Sequence, residues 1–445
     1  MRASYAIWAS IVIGGLLTGP RTAYAQTPSQ QPVDAQALRV EIDQLKKDFE
    51  IRLSALEAKL TGMAVAQTAS AQPSATPPPS TAPAAPQQPT AEVPAGAAGA
   101  GGPSGALPVY GGAAALSKVF NPDMAVIGDF LGAGGKNNLN PDPVLQMHES
   151  EASLQAIVDP YARADFFISF GEAGVNLEEG FLSLTALPGG LLTKVGKMRA
   201  AFGKVNGLHN HLLPWTDRPL VVNNLLGGED GIDDAGLSVA RLIPNPWLFL
   251  EATGQVFRGD SGETLFKSSE RGDLSYVGHL RGYQDLSEST NVDLGLSYSR
   301  GHNPSGIVNG VDLGRFTTGL FGVDATLRWR PLQRSIYHSF IGRTEVIWSR
   351  RDQPNGLQSG TGYYVSGDYQ FARRWFAGLR YDRSNHADDA SLLDTGQSFV
   401  LTYWPSEFSQ VRGQYRRTAY AIGPTANEFL FQFQFSIGAH GAHPF

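Results

Sequence analysis

The chain of 445 residues contains no cysteine and is poor in charge, since only 17% of its residues are Asp, Glu, Lys or Arg. The lack of cysteine excludes disulfide frameworks, thiolate metal sites and cysteine nucleophiles. The 35 Lys and Arg residues against 41 acidic ones give a net charge of −6, which argues against a nucleic-acid partner. No window offers the roughly 18 consecutive apolar residues of a membrane-spanning helix. A helical membrane protein is therefore excluded.

The first residues have the pattern of a secretory signal peptide. Arg2 precedes an apolar stretch over residues 7–17, and Ala23-Tyr24-Ala25 forms a small-residue cleavage pattern. We therefore predict a signal peptide over residues 1–25 and a mature chain that begins at Gln26, exported beyond the inner membrane of a Gram-negative cell. The alternative is an N-terminal anchor helix, for which the apolar run is short.

A single apolar stripe follows at helical spacing. Its steps of three and four residues predict an amphipathic helix, with apolar positions at Leu38, Ile42, Leu45, Phe49, Leu53, Leu56, Leu60 and Met63. Because a lone helix of this kind would be marginal in water, we predict a self-associating coiled coil over residues 26–63 in the periplasm. The alternative is a helix that docks on the rest of its own chain.

Residues 64–117 are rich in Pro, Ala and Gly, with Pro77-Pro78-Pro79 near the centre. Such a composition cannot build a core, so we predict a disordered linker that acts as a tether. A proline-rich ligand for a binding groove is the alternative.

From residue 118 to residue 445 the chain alternates apolar and polar residues with a period of two. Phe429, Phe431 and Phe433, for example, lie on one face of a strand, and Gln432 lies on the other face. The same pattern predicts about sixteen strands, at 124–131, 146–158, 160–170, 175–187, 191–202, 234–243, 247–258, 273–285, 290–300, 317–330, 335–350, 362–371, 374–384, 395–404, 407–417 and 427–437.

The connections between these strands mostly alternate between tight and long, which is typical of an outer-membrane barrel with short periplasmic turns and long external loops. Trp247, Trp329, Trp375 and Trp404 lie beside the tight turns, and Trp348 lies near the other end of its strand, as in aromatic girdles. We therefore predict an all-β transmembrane barrel of about 16 antiparallel strands, wide enough to hold water. A soluble sandwich is the alternative.

A family resemblance supports this prediction. Residues 196–203, the long connection after them and Phe445 resemble the phosphate-selective-porin-like group of outer-membrane proteins. The resemblance implies a homotrimeric porin in which the C-terminal aromatic residue serves as an assembly signal. The chain has Ala201 where the group would have Pro, and it has no lysine-rich ladder, so phosphate selectivity is not implied.

Strand parity assigns polar side chains to the lumen, because a charge facing lipid near the midplane costs about 2–4 kcal/mol. An arginine-rich wall favours anions. Alternatively, Asp165, Glu251, Asp293, Asp324, Glu345 and Asp382 neutralise that wall and leave weak selectivity. The predicted pore-lining residues are Lys197, Arg199, Arg281, Arg328, Arg330, Arg343, Glu345, Arg380, Asp382, Arg412 and Arg416.

The connection over residues 203–233 is predicted to fold inward as a constriction loop, because its apolar residues Leu212, Leu213, Pro214, Trp215, Leu220, Val221 and Val222 are unsuited to an exposed lid. The residues expected at the constriction are His209, Asn210, His211, Trp215, Asp217 and Arg218. The alternative is that the polar side chains of this loop only satisfy its own backbone.

The remaining motifs are weak. His209 with His211, or His440 with His443, gives two imidazoles without a fixed third ligand, so no metal site is predicted. Glu229, Asp230, Asp233 and Asp234 lack calcium-loop spacing, and His302 with Ser305 lacks a catalytic partner. We predict no enzyme activity and no cofactor.

These patterns together predict a trimeric outer-membrane porin for passive diffusion of small polar or anionic solutes. Its partners would be the lipid bilayer, two further copies of the chain and the solutes themselves. The alternative is a structural barrel whose coiled coil tethers the outer membrane to the cell wall or to a periplasmic partner.

Overall fold

The computed structural model describes residues 123–139, 141–172, 174–262, 264–309 and 311–438, together with Lys47. The predicted signal peptide and linker, the coiled coil apart from Lys47, and the positions of His440, His443 and Phe445 lie outside the described residues. Within the described part of the chain, no helix is long and apolar enough to cross a membrane.

Antiparallel strands dominate the described residues. In chain order they are β1 (Asp123–Lys136), β2 (Leu145–Asp159), β3 (Ala162–Gly171), β4 (Gly174–Leu187), β5 (Leu191–Arg199), β6 (Asp233–Leu242), β7 (Phe249–Phe257), β8 (Ser275–Ser287), β9 (Thr290–His302), β10 (Ile307–Val308), β11 (Val311–Asp312), β12 (Thr317–Trp329), β13 (Ser339–Gln353), β14 (Gly356–Ala372), β15 (Trp375–Asn385), β16 (Leu393–Ser406), β17 (Ser409–Ala419) and β18 (Ala426–Gly438).

Sixteen of these strands form one closed barrel. Each pairs with its neighbours along the chain, and β1 closes the ring against β18 with Val126 opposite Ile437. The two short strands β10 and β11 form a separate hairpin in the connection between β9 and β12. The predicted fold, a barrel of sixteen antiparallel strands, is confirmed.

The strands carry apolar residues outside and polar residues inside. In β18, Phe431 is 44% exposed and Phe433 38%, whereas Gln432 and Gln434 between them are almost fully buried. This is the reverse of a soluble barrel, whose interior is apolar and whose surface is polar. Trp247, which lies beside a turn, is exposed on the outside as predicted. Trp404 is buried on the inner face, so the assignment of Trp404 to an outer girdle is wrong.

The two rims of the barrel differ. Two-residue or three-residue turns join β2 to β3, β4 to β5, β8 to β9, β14 to β15 and β16 to β17 at one rim. Longer connections lie mostly at the other rim, although tight turns also join β3 to β4 and β13 to β14 there. The longest connection spans residues 200–232 between β5 and β6. It contains a 3₁₀ turn (Asn210–Leu212) and the helix α1 (Leu220–Leu225).

Candidate functional site

The connection over residues 200–232, called the inner loop from here on, packs against the inside of the barrel wall. It begins three residues earlier than predicted, because β5 ends at Arg199. Trp215 is 1% exposed and its ring meets the edge of Tyr364 on β14 at 5.2 Å between centroids. The remaining apolar contacts join Phe202, Val205, Leu213, Val221, Val222 and Leu225 of the loop to wall residues that include Leu320 and Ile347.

The apolar residues of the inner loop therefore leave water much as the sequence predicts. Leu213, Trp215, Val221 and Val222 are buried. Leu212 is the exception, since it is 45% exposed.

Polar contacts fix the start of the inner loop to the wall. The Gly203 amide donates to Ser297 Oγ at 2.9 Å, and Lys204 Nζ lies 2.8 Å from Asp293 Oδ2. Gly203 has a φ of 60°, and a Cβ there would overlap the carboxylate of Glu345, so this position requires glycine. Burial lowers the pKa of Lys204, and Asp293 offsets part of this effect.

Asp217 ties the middle of the inner loop to two strands. Its carboxylate accepts hydrogen bonds from Arg380 at 2.8 Å, from Arg416 at 3.1 Å and from Gln414 at 2.5 Å. Burial alone would raise the pKa of Asp217, but the two guanidinium groups outweigh it and lower the pKa to about 2. Asp217 therefore carries its charge throughout the neutral range.

Arg218 stabilises the inner loop itself. Its guanidinium donates to the carbonyl oxygens of Val205 and Leu208 and to the side chain of Asn210. Burial, together with the nearby Arg199, lowers the pKa of Arg218 to about 10. Arg218 therefore follows the alternative given above for this loop, in which its polar side chains bond to the backbone of the loop itself.

His209 lies against strands β2 and β4. Its Nδ1 atom is 2.6 Å from Glu151 Oε2 and 3.0 Å from Glu178 Oε2, while its Nε2 atom is 2.8 Å from Glu179 Oε2. Burial disfavours the charged imidazole, but these carboxylates outweigh it and raise the pKa of His209 well above its usual value. His211 Nδ1 lies 3.6 Å from the same oxygen of Glu151.

A cavity of about 560 Å³ remains between the inner loop and the opposite wall, which is formed by β1, β2 and β15 to β18. Its charged lining contains more carboxylates than guanidinium groups. The acidic members are Asp129, Asp142, Asp217, Glu229, Asp382 and Asp394, and the basic ones are Arg218, Arg380 and Arg416.

Most of the predicted lumen arginines face inward and contact carboxylates. Arg281 bonds to Asp293 at 2.7 Å, and Arg328 lies 3.8 Å from the same group. Similar pairs join Arg343 to Asp368, Arg380 to Asp382 and Arg416 to Glu428. Arg412 instead donates to the carbonyl oxygen of Trp215 at 3.0 Å and to Gln432 at 2.7 Å. Of these carboxylates, Asp293 and Asp382 are among those that the sequence placed on the wall, whereas Asp368 and Glu428 are not.

Three predicted pore-lining residues lie elsewhere. Lys197 shares the outward-facing positions of β5 with the exposed Val195, and its ammonium group binds Asp233 at 2.9 Å. The inner face of this strand carries Lys194 and the buried Met198 instead, because Met198 packs beneath the inner loop. The assignment of Lys197 to the lumen is therefore wrong.

Arg199 ends β5 and supports the inner loop rather than an open channel. It is 5% exposed and donates to Glu178 at 3.1 Å and to the carbonyl oxygen of Asp230 at 3.0 Å. Arg330 follows the end of β12 and is exposed at the rim with the tighter turns.

Comparisons with known proteins give the following similarities. No protein-family model matches the chain. A protein of Aquifex aeolicus (strain VF5) described as "Uncharacterized protein" is 29% identical over 389 residues, which cover 74% of this chain and 81% of that protein.

Among solved structures, the chain is similar to the anion-selective porin from Comamonas acidovorans, at 12% identity and a TM-score of 0.48 over 71% of this chain and 99% of that chain. It is also similar to the outer membrane channel DcaP of Acinetobacter baumannii, at 11% identity and a TM-score of 0.47 over 71% and 96%. The loop L8 deletion mutant of OmpT from Vibrio cholerae gives 12% identity and a TM-score of 0.49 over 71% and 99%.

The fold and the site define the class of protein: a closed antiparallel barrel of sixteen strands, with a polar interior and a loop packed inside it.

Proposed function

We propose that the chain is an outer-membrane porin that lets small polar solutes diffuse through its barrel. The observation that supports this most strongly is the orientation of the wall, with phenylalanines such as Phe431 outside and polar groups such as Gln432 inside. Soluble monomers rarely expose apolar patches larger than a few hundred Å² to water. In a membrane barrel the hydrocarbon of the bilayer covers such an apolar band. A closed barrel of this strand number leaves an aqueous interior.

The inner loop would act as the constriction. It occupies one side of the lumen, from the anchor at Lys204 to the contacts of Asp217, and leaves the cavity of about 560 Å³ on the other side. A solute would therefore pass between the loop and strands β15 to β18. His148, Asp217 and Arg416 line this passage.

We propose weak ion selectivity in place of the marked anion preference that the arginine count alone favours. Rings of net charge set ion preference in channels. Here each of Arg281, Arg343 and Arg380 contacts a carboxylate, and the cavity carries more acids than arginines. Solutes would be selected mainly by size.

The N-terminal organisation remains part of the proposal. A signal peptide over residues 1–25, a periplasmic coiled coil over 26–63 and a linker over 64–117 would join three barrels as a trimer in the outer membrane. The apolar stripe from Leu38 to Met63 supports this arrangement.

Recording in planar lipid bilayers tests the proposed function. The mature chain should give stepwise currents, and a chain that lacks residues 26–108 should conduct in the same way, because the barrel supplies the pathway. A mature chain that inserts but stays closed at all voltages would refute the porin assignment. Loss of a bound periplasmic partner on truncation, without any current in either chain, would favour the tether.

A further inference from the structure

We propose that Glu151, Glu178 and His209 form a binding site for a divalent transition-metal ion of the zinc type. The bound ion would fasten the inner loop to strands β2 and β4. This site goes beyond the proposed channel function and does not depend on it, since neither the ligands nor their geometry involves a conducted solute.

The three candidate ligand atoms converge on one point. Oxygens of Glu151 and Glu178 and a nitrogen of His209 all lie within 4.8 Å of one another. The closest approaches are the 2.6 Å and 3.0 Å distances from His209 Nδ1 to the two carboxylates. Tetrahedral ligand atoms about 2.0–2.2 Å from a common zinc ion are roughly 3.3–3.6 Å apart, so these side chains would move apart by less than about 1 Å to admit the ion.

The contacts at His209 Nδ1 do not have the alignment of hydrogen bonds. Both Nδ1 of His209 and Oε2 of Glu151 are buried without a hydrogen-bond partner, although they are 2.6 Å apart. Glu151 is 3% exposed and His209 is 5% exposed. Without a metal these atoms form ion pairs with a protonated His209, whereas a shared metal ion would satisfy all of them without that proton.

Glu179 orients the imidazole for metal binding. Its Oε2 atom lies 2.8 Å from His209 Nε2, so in a metal-bound, neutral imidazole the Nε2 hydrogen would be donated to Glu179 and the Nδ1 lone pair would point to Glu151 and Glu178. Metal-binding histidines usually donate their other N–H group to a carboxylate or a carbonyl in this way. The tautomer that this bond selects is the one that can bind a metal.

A β-bulge directs adjacent glutamates toward His209. In the pairing of β3 with β4, Glu179 lies opposite Phe167 and Leu177 lies opposite Ile168, so Glu178 has no partner. Regular strand geometry would turn Glu178 and Glu179 to opposite faces, but the bulge brings both carboxylates to one imidazole. Bulges that re-aim side chains are common beside functional sites.

A second β-bulge lies in the neighbouring strand β2, in its pairing with β1. Glu149 lies opposite Asp129 and Met147 lies opposite Phe130, which leaves His148 unpaired in β2. His148, Glu149 and Glu229 form a second group with ligand atoms within 4.8 Å of one another. His148 and Glu229 line the cavity, so this group offers an approach for a cation from the lumen.

The ligand set selects the kind of ion. One imidazole nitrogen and two carboxylate oxygens suit Zn²⁺ and similar first-row ions, whereas Ca²⁺ and Mg²⁺ prefer oxygen ligands alone. His211 Nδ1, at 3.6 Å from Glu151 Oε2, is placed to approach a fourth position. Arg199 contacts Glu178 at 3.1 Å and compensates one of the three carboxylates around His209. The two negative charges that remain favour a bound cation.

The competing explanation is a protonated His209 held by the same three carboxylates, with no metal. To separate the two, the full mature chain is purified in detergent, stripped with EDTA and dialysed against buffer with micromolar Zn²⁺. Metal content is then measured by mass spectrometry. We expect about one zinc ion per wild-type chain, and a thermal unfolding midpoint that rises with Zn²⁺ but not with Mg²⁺.

Isosteric variants locate the site. Glu151→Gln with Glu178→Gln should abolish stoichiometric binding, and Glu179→Gln should weaken it by about 10–100-fold because it only orients His209. His386→Ala is the matched control, since His386 also contacts a carboxylate, Asp394 at 2.9 Å, but is not part of a group of three ligand atoms among the described residues. It should bind as the wild type does.

A wild-type chain that retains no zinc after dialysis would overturn the metal site, and this result needs no variant to fold. Zinc retained equally by the double glutamine variant would also overturn it. Because metal content is measured without reference to current, a closed channel that binds zinc and a conducting channel that does not are distinguishable outcomes.

Discussion

Replacing Trp215 should release the inner loop from the wall. The indole is 1% exposed, packs on Tyr364 and lies beneath Arg380, whose guanidinium carbon is 4.8 Å from the ring centroid. Removing a buried aromatic side chain typically costs about 3–5 kcal/mol. Since each 1.4 kcal/mol is about tenfold in an equilibrium, Trp215→Ala should raise the population of the detached loop by roughly two to four powers of ten.

Limited proteolysis of the folded barrel measures this population. Trypsin can cut the inner loop after Lys204, whereas Arg218 precedes Pro219 and is not a trypsin site. Cleavage of an opened state follows its equilibrium population when opening is fast. We expect cleavage after Lys204 to be at least about a hundredfold faster in Trp215→Ala, with a larger single-channel conductance. Leu212→Ala is the control, since Leu212 is in the same loop but 45% exposed. Equal cleavage rates in Trp215→Ala and the wild type would refute the packing argument.

Three further predictions concern charge and architecture. Asp217→Asn removes a carboxylate shared by Arg380 and Arg416, so reversal potentials in a salt gradient should shift toward anions; an unchanged potential would mean that this cluster lies off the ion path. Arg416→Ala should shift the potential toward cations, because Arg416 lines the proposed passage, and an unchanged potential would remove this arginine from the account of selectivity. Because the pKa of Asp217 is lowered to about 2 in the folded chain, its contribution to loop docking is complete above about pH 4 and is lost as the pH falls toward 2. Channel noise should therefore rise only below about pH 4, and Asp217→Asn should remove this acid dependence; noise that begins near pH 6 would contradict the assignment.

The barrel could be predicted from the sequence because its main signal is local. The face of the strand on which Phe431 lies can be predicted from the residues next to it, because apolar and polar residues alternate with a period of two along each strand. The inward packing of Trp215 and Val221 could be predicted for the same reason, since a run of apolar residues in a long connection has few other places to go. The strand bounds predicted from the sequence are less accurate. The pattern predicts a strand over residues 191–202, whereas β5 ends at Arg199.

The charge pairs and the proposed metal ligands depend on register, which the sequence does not specify locally. Arg343 and Asp368 come together only once β13 and β14 are aligned. Glu151 and His209 lie on different elements, far apart in the chain.

A bulge at Glu178 cannot be seen in the period-two pattern at all. The two histidines at positions 209 and 211 are an incomplete metal site on the sequence alone, because the carboxylates that would complete the proposed site come from β2 and β4.

Cysteine accessibility in a reconstituted channel tests the central claim most directly, because the natural chain has no thiol background. Ser398 and Phe399 are neighbours on β16: Ser398 lines the cavity, and Phe399 is 47% exposed on the outer face. With Ser398→Cys, a membrane-impermeant thiol reagent should reduce the single-channel current; with Phe399→Cys in the bilayer, it should have no effect. The opposite pattern, or a current that neither substitution can alter, would contradict a water-filled barrel with its apolar face in lipid.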